Sequence, residues 1–440
     1  MTKTVSRGGV SIVFSLAVLA TPCPGDVITD WNSVLLQTIR ETGGPPCPIS
    51  RALVMMHVAM YDAVNSIDRS HEKYLSMMNA PAGASKEAAA AAAAHRVLTT
   101  IFPLNQSTYD TALATSLAAV PDGPNENAGV VLGRAVADAL ISARANDGTQ
   151  GDPPYQFGNH PGDYQPTYPD FTAPPFNPGW GDSEPWCMHS GDQFRPNGPL
   201  NFHSMPNLLR SVGYALQVNE VKSRGARYSA TRTDEQTDIA FFWANDLNGT
   251  FKPPGHLNHI TQVVSHDRNL RMIENARLFA LINLAMADAG LVAWDAKYNT
   301  SIDLWRPISA IRFADTDQNP FTIADPNWEP LNAFTPAFPS YVSGHATFAA
   351  AHAAVMMDFF GTDQVTFTID TDDPNYHGAP RTYHRFSQAA WENALSRIYL
   401  GVHFRFDAVD GRIAGSRLGH FVFHHELQPI CGPDGNNNAR

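Results

Sequence analysis

The chain has 440 residues, of which 43% are hydrophobic and only 16% charged, and it carries a net charge of −12 at pH 7. That length can bury one large core or two smaller ones, and the composition excludes extensive disorder. The acidic balance excludes general affinity for nucleic acid or an anionic membrane, so any basic cluster is local and reads as an anion site.

At the N-terminus Lys3 and Arg7 precede GVSIVFSLAVLA, an apolar run of signal-peptide length that is too short for a stable membrane anchor. Residues 1–22 are therefore expected to be a signal peptide, and the protein secreted or periplasmic. No other stretch is expected to be long and apolar enough for a transmembrane helix. Cys23, Cys47, Cys187 and Cys431 are widely spread, with no C-x-x-C pair. In an exported chain they read as up to two disulfides, with all complete pairings open, rather than as a zinc site. Asn105, Asn248 and Asn299 head N-x-S/T sequons, which matter only in a host that glycosylates.

From about residue 28 to 147 the pattern is helical. ISRALVMMHVAMYDAVNSI sets Leu53, Met56, Met60 and Val64 on one apolar stripe, and the alanine run 88–94 is a strong helix former. Residues 148–206 are dense in Pro, Gly, Tyr and Phe; this excludes long helices but not order, and predicts an irregular excursion packed over helices and closing a pocket. Helical signals resume from 207, with a capping box at Thr233 and Gln236 and a long apolar segment from Leu270 to Tyr298. The fold class is mainly α: helical bundles around an irregular Pro-rich middle, read as one large domain over 23–440.

The chemistry gathers in the last third. Lys297 and Arg306 lie in WDAKYNTSIDLWRP, and Ser343, Gly344 and His345 in SYVSGHATFAAAH. Ser343 is a natural N-cap, so Gly344 and His345 sit in a first turn whose free N–H groups and dipole favour an oxyanion. SRIYLGVHFRFD adds Arg397, His403 and Asp407. On one straight helix Arg397 and His403 would face apart, so the helix is predicted to break at Gly401 and aim both inward. Asp407, four residues after His403, would share its helical face and fix its imidazole tautomer, and Arg405 is left for an ion pair.

Lys297…Arg306-Pro307, Ser343-Gly344-His345 and Ser396-Arg397…His403…Asp407 together resemble the three-part signature joining vanadium-dependent haloperoxidases with type 2 phosphatidic acid phosphatases and bacterial acid phosphatases. FRPNGP, NEVKSRG, PPGHLNHI, ENARLFALINLAMADAG and WRPISAIR are similar to the bacterial haloperoxidase branch, so the resemblance spans most of the chain from about residue 30. Two departures stand out: eight residues separate Lys297 from Arg306, a longer spacing than usual, and Val342 replaces the common Pro.

The resemblance implies vanadate as cofactor, its vanadium bonded to His403, with hydrogen bonds from Lys297, Arg306, Ser343, Gly344 and Arg397. It implies His345 as the acid/base for peroxide protons, Lys297 as the group polarising peroxide, and Trp294 and Phe338 as a halide pocket. The partners would be hydrogen peroxide, a halide and a small organic substrate. Phosphate fits the same pocket, so the alternative is a phosphatase with His403 as nucleophile and His345 as acid; length and upstream likeness favour the haloperoxidase branch. A non-catalytic oxyanion-binding protein would explain the cations without needing His345. Rival motifs are weaker. His420, His424 and Glu426 lack a placed general base and third metal ligand, Pro320 and Pro326 break a calcium loop at Asp315, and Ser343 has no G-x-S-x-G elbow.

Overall fold

The computed structural model describes residues 26–430 except 170 and 333, so the expected signal peptide, Cys23 and Cys431 lie outside the described residues. Fourteen α-helices and a single two-stranded antiparallel sheet, Phe367–Ile369 with Arg381–Tyr383, make up the regular structure among them. Helices run from Val27 to Ala143, none but short turns occurs between there and Met205, and the rest are clustered from Met205 to His425. One buried core joins both helical regions.

Its axis is the helix Met272–Tyr298, called here the central helix, whose side chains are nearly all buried. Contrary to the expectation from sequence, this helix is long and apolar enough to cross a membrane. Its apolar window is wholly buried inside the protein, which accounts for the composition. Pro46–Asp68 also differs from its reading: it is buried almost all round rather than along one stripe, because it is packed between the central helix and the alanine-rich helix Lys86–Ile101. The latter buries all of Ala88–Ala94 among Pro46–Asp68, Pro124–Ala143 and their neighbours, and a side chain at Gly133 would come within 2.1 Å of the Ala89 carbonyl.

The irregular middle is ordered by the central helix. Asp288, buried in that helix, accepts the N–H groups of Trp186, Cys187 and Met188 at 2.7, 2.8 and 3.0 Å, and Arg195 pairs with Asp295. Cys47 and Cys187 are both free thiols, which removes a bond between them from the pairings the sequence left open.

Two helices carry most of the site. Gly344–Phe360, the anion helix, and Arg405–His425, the C-terminal helix, form the most extensive helix pair in the molecule. Gly411, Gly415 and Gly419 line that seam: side chains there would come within 2.9, 2.1 and 2.4 Å of the carbonyls of Ser343, Thr347 and Ala351. Backbones meet because nothing separates them.

Candidate active site

Most of the predicted side chains come from the ends of elements, and Phe338 comes from the irregular segment before the anion helix. Arg306 is the residue before the short helix Pro307–Arg312, and Ser343 caps the anion helix, its hydroxyl accepting from Ala346 N–H. Arg397 lies in the last turn of Phe386–Tyr399, which stops as expected: Gly401 has φ +80°, a left-handed conformation, and the next helix starts at Arg405. A side chain at Gly401 would also meet the Gly225 carbonyl at 2.5 Å. The turn folds back on itself, the N–H groups of Val402 and His403 bonding to the Arg397 carbonyl at 3.1 and 3.3 Å.

His403 thus precedes the C-terminal helix rather than sharing a helical face with Asp407. Asp407 is in that helix's first turn, and its Oδ2 accepts from the Phe404 N–H at 3.0 Å in a capping arrangement. The same oxygen accepts from His403 Nδ1 at 2.9 Å and Ser340 Oγ at 2.5 Å. Arg306 Nη1 lies 3.1 Å from His403 Nε2. A guanidinium only donates, so Nε2 accepts, and the proton sits on Nδ1 facing Asp407. Burial, with the Arg306 and Lys297 charges, holds His403 well below the usual imidazole range. Burial pushes the Asp407 carboxyl up to about 7 against the Ser340 hydrogen bond and the pull of Lys297.

The buried cations are not saturated. Arg306 spends Nε on the Phe338 carbonyl at 2.6 Å and Nη1 on Val402 and His403, and burial lowers it to about 10. Arg397 spends Nη2 on Asp246 at 2.7 Å. Among the described residues, Arg306 Nη2 and Arg397 Nε and Nη1 are buried without a partner. Each such donor costs about 1–3 kcal/mol if left unmade. Three unpaired donors, the first-turn N–H of Gly344 and His403 Nε2, whose lone pair a guest would take over from Arg306 Nη1, make a set that fits a tetrahedral or five-coordinate oxyanion such as vanadate or phosphate.

Lys297 is placed differently from its expected role. Its ammonium is fully buried and donates to the carbonyls of Pro339 (2.8 Å), Ser340 (3.1 Å) and Val342, and it does not line the cavity. Three donors meet three acceptors, so the lysine clamps the 339–342 loop. Burial and Arg306 drive its pKa well down. Ser343 is likewise fully buried and outside the cavity lining, its hydroxyl oxygen accepting from the Ala346 N–H.

A cavity of about 550 Å³ opens beside Arg397, His403, Gly344 and His345, and Arg306, like Lys297 and Ser343, lies behind that lining. Trp294 and Phe338 wall it with ring centroids 4.9 Å apart, and Phe338 stacks near Lys297 and Arg306 on the other side. His345 points its Nε2 at the Ala244 carbonyl, 3.1 Å away. Burial and the Arg397 charge lower it to about 4, although Asp246, 4.0 Å away, pulls the other way. The irregular middle contributes Tyr168, Pro169, Ala173 and Phe176 to the cavity wall.

Sequence reasoning missed Asp246 and Ser340. Asp246 is the carboxylate between Arg397 and His345; burial would raise it, but Arg397, His345 and Lys252 hold it low. It sits in a polar turn 151 positions from its arginine, where no local signal exists. The rival histidines His420 and His424 both face Asp358, at 2.7 and 3.5 Å, and Arg405 pairs with Glu220.

Comparison with known proteins agrees with this geometry. A family described as the VCPO second helical-bundle domain matches residues 277–432, which hold every predicted site residue. The vanadium chloroperoxidase of Curvularia inaequalis is 28% identical over 87% of this chain and 79% of its own length. The vanadium-dependent bromoperoxidase of Ascophyllum nodosum is 28% identical over 31% of this chain and 26% of its own length. The crystal structure of a bacterial vanadium-dependent iodoperoxidase superposes with TM-score 0.75 at 25% identity, covering 92% of this chain and 96% of the other. A bacterial vanadium-dependent chloroperoxidase in its apo form shares the fold, with TM-score 0.66 at 18% identity over 87% of this chain and 94% of the other. With the oxyanion cradle in place, these likenesses run through both helical regions, and the chain is similar in sequence and fold to the vanadium haloperoxidases.

Proposed function

We propose that this chain is a vanadate-dependent haloperoxidase that uses hydrogen peroxide to oxidise halide and thereby halogenates a small organic substrate. The observation that carries the reading is the set of unpaired guanidinium donors on Arg306 and Arg397 beside the accepting face of His403. Vanadate held there would supply Lewis-acid chemistry for peroxide activation. His403 Nε2 would hold it in place of the bond from Arg306 Nη1, and Arg306 Nη2, Arg397 and the Gly344 N–H would donate to the oxyanion. Asp407 keeps the His403 proton on Nδ1, and Ser340 keeps Asp407 in place. His345 is neutral above about pH 4, so it can take a proton from incoming peroxide and return it to the leaving oxygen. Trp294 and Phe338 offer an apolar aromatic wall suited to a weakly hydrated halide. Lys297 acts through the loop it clamps. Export, on the strength of Lys3, Arg7 and the apolar run after them, belongs to the same proposal.

One purified sample assayed twice tests the reading. Halogenation of an indicator dione with vanadate, peroxide and each halide is expected; hydrolysis of an aryl phosphate without vanadate, in the absence of halogenation, reverses the reading to a phosphatase. His345→Ala is expected to bind vanadate and lose turnover. Wild-type turnover in that variant removes His345 from the chemistry, and neither activity in the wild type leaves an anion-binding protein.

A further inference from the structure

The cavity is far larger than an oxyanion and a halide require, and one of its polar groups has no part in holding either. Lys252 is 6% exposed and lines the cavity on the side of Asp246 and Asn248. Its backbone has φ +59°, the left-handed region that a long side chain rarely adopts. Strain of this kind persists where surrounding structure enforces it and concentrates at functional sites. Here the Thr250 hydroxyl holds the Lys252 N–H at 3.3 Å, and Thr250 is itself tied to the carbonyls of Asn245 and Leu247. The ammonium donates to the Asp246 carbonyl at 2.6 Å and Asn248 Oδ1 at 3.2 Å. An ammonium has three protons, so one is left for a guest.

Away from Lys252, Asp246 and the oxyanion site, the lining is largely apolar. Tyr168, Phe176, Phe334 and Phe348 join Trp294 and Phe338 in a ring of aromatic faces. Cavities of a few hundred Å³, mostly aromatic and with a few fixed polar groups, are the usual form of small-molecule sites. A guest that satisfies both walls is flat, carries its oxygen at one end and presents an electron-rich ring to the oxidant.

We propose that this cavity binds a phenol, its ring among Tyr168, Phe176 and Phe334 and its oxygen on the Lys252 ammonium, so that halogenation occurs on bound substrate. This rests on the haloperoxidase reading. Peroxide, halide and a proton give hypohalous acid and water. The phenol ring then forms a carbon–halogen bond and loses its hydrogen as a proton, which leaves with the hypohalous hydroxide as water. An ammonium beside the phenol oxygen favours the phenolate, the form whose ring is the better nucleophile. Burial lowers the Lys252 pKa while the Asp246 carboxylate raises it.

The test uses the full chain without vanadate or peroxide, titrated calorimetrically with p-cresol and, separately, toluene. Saturable p-cresol binding is expected, about tenfold weaker in Lys252→Met, with toluene binding equal in both. Phe334→Ala is expected to weaken both ligands; thermal midpoints establish that each variant is folded. Equal p-cresol affinity in wild type and a folded Lys252→Met overturns the anchor, and absence of saturable p-cresol binding overturns the site. Oxidation of iodide by the vanadate-loaded wild type, with no organic acceptor, is scored separately. Iodide oxidation without p-cresol binding sinks this inference alone, whereas p-cresol binding without iodide oxidation sinks the haloperoxidase reading and leaves the binding site standing.

Discussion

Arg397→Lys separates charge from hydrogen-bond geometry at the oxyanion site. The arginine gives one nitrogen to Asp246 and keeps two, Nε and Nη1, unpaired. A lysine preserves the charge but has one nitrogen at the end of its stem, so it serves Asp246 or the anion and cannot reproduce the fork. At least one charge-assisted bond to the anion is lost, worth about 1.5–3 kcal/mol. At 1.4 kcal/mol per decade, that weakens vanadate binding by roughly tenfold to a hundredfold. Equilibrium dialysis of the vanadium-free protein against orthovanadate, with bound vanadium read by atomic spectroscopy, measures it. The thermal midpoint of the free protein is the control for folding. Unchanged affinity in a folded variant would mean that the two nitrogens do not face the anion.

Three further outcomes follow from the same geometry. Asp407→Ala strands three donors, Ser340 Oγ, His403 Nδ1 and Phe404 N–H; at about 1–3 kcal/mol each, the guanidinium midpoint should fall by the equivalent of at least about 3 kcal/mol. A midpoint equal to wild type contradicts the network. Gly401→Ala forces a side chain into a left-handed turn and against the Gly225 carbonyl, so both thermal stability and vanadate affinity should drop; a loss of neither refutes the role of the turn. His352, buried and hydrogen-bonded to Thr261 at 3.0 Å, is lowered by burial from 6.5 to about 3. The unfolded chain therefore takes up the proton first, and stability is lost as pH falls below about 6.5. The fall in melting temperature between about pH 6.5 and pH 4 should be smaller in His352→Gln, and equal falls in the two proteins dismiss the linkage.

Local physics made some of this legible in the chain itself. The Thr233 capping box, the cap at Ser343 and the break at Gly401 are each decided within a few residues, and the structure has all three. Features set by distant partners were not legible. The Pro46–Asp68 pattern reads as a stripe because periodicity registers only apolar residues, whereas Asp62, Asn65 and Ser66 are also buried, held by hydrogen bonds to the loop that follows. Lys297 reads as an anion ligand in the sequence, and its enclosure by the carbonyls of the 339–342 loop, set by distant partners, has no local signal. Asp246 and Lys252 carry no signal of their own, since what recruits them is the three-dimensional return of Arg397 and the cavity it faces.

The glycine seam between the anion helix and the C-terminal helix gives the pocket a remote adjustment. The two halves of the oxyanion cradle, Gly344 with His345 on one side and His403 with Asp407 on the other, hang from the same pair of rods, and Gly411, Gly415 and Gly419 fix how near those rods can lie. A methyl group added at Gly419, two turns or more along from the chemistry, would lever the rods apart at the far end and alter the span of the cradle without touching any residue in it. The span of the oxyanion cradle is therefore set in part at the far end of a helix pair, where a substitution leaves every residue of the site in place.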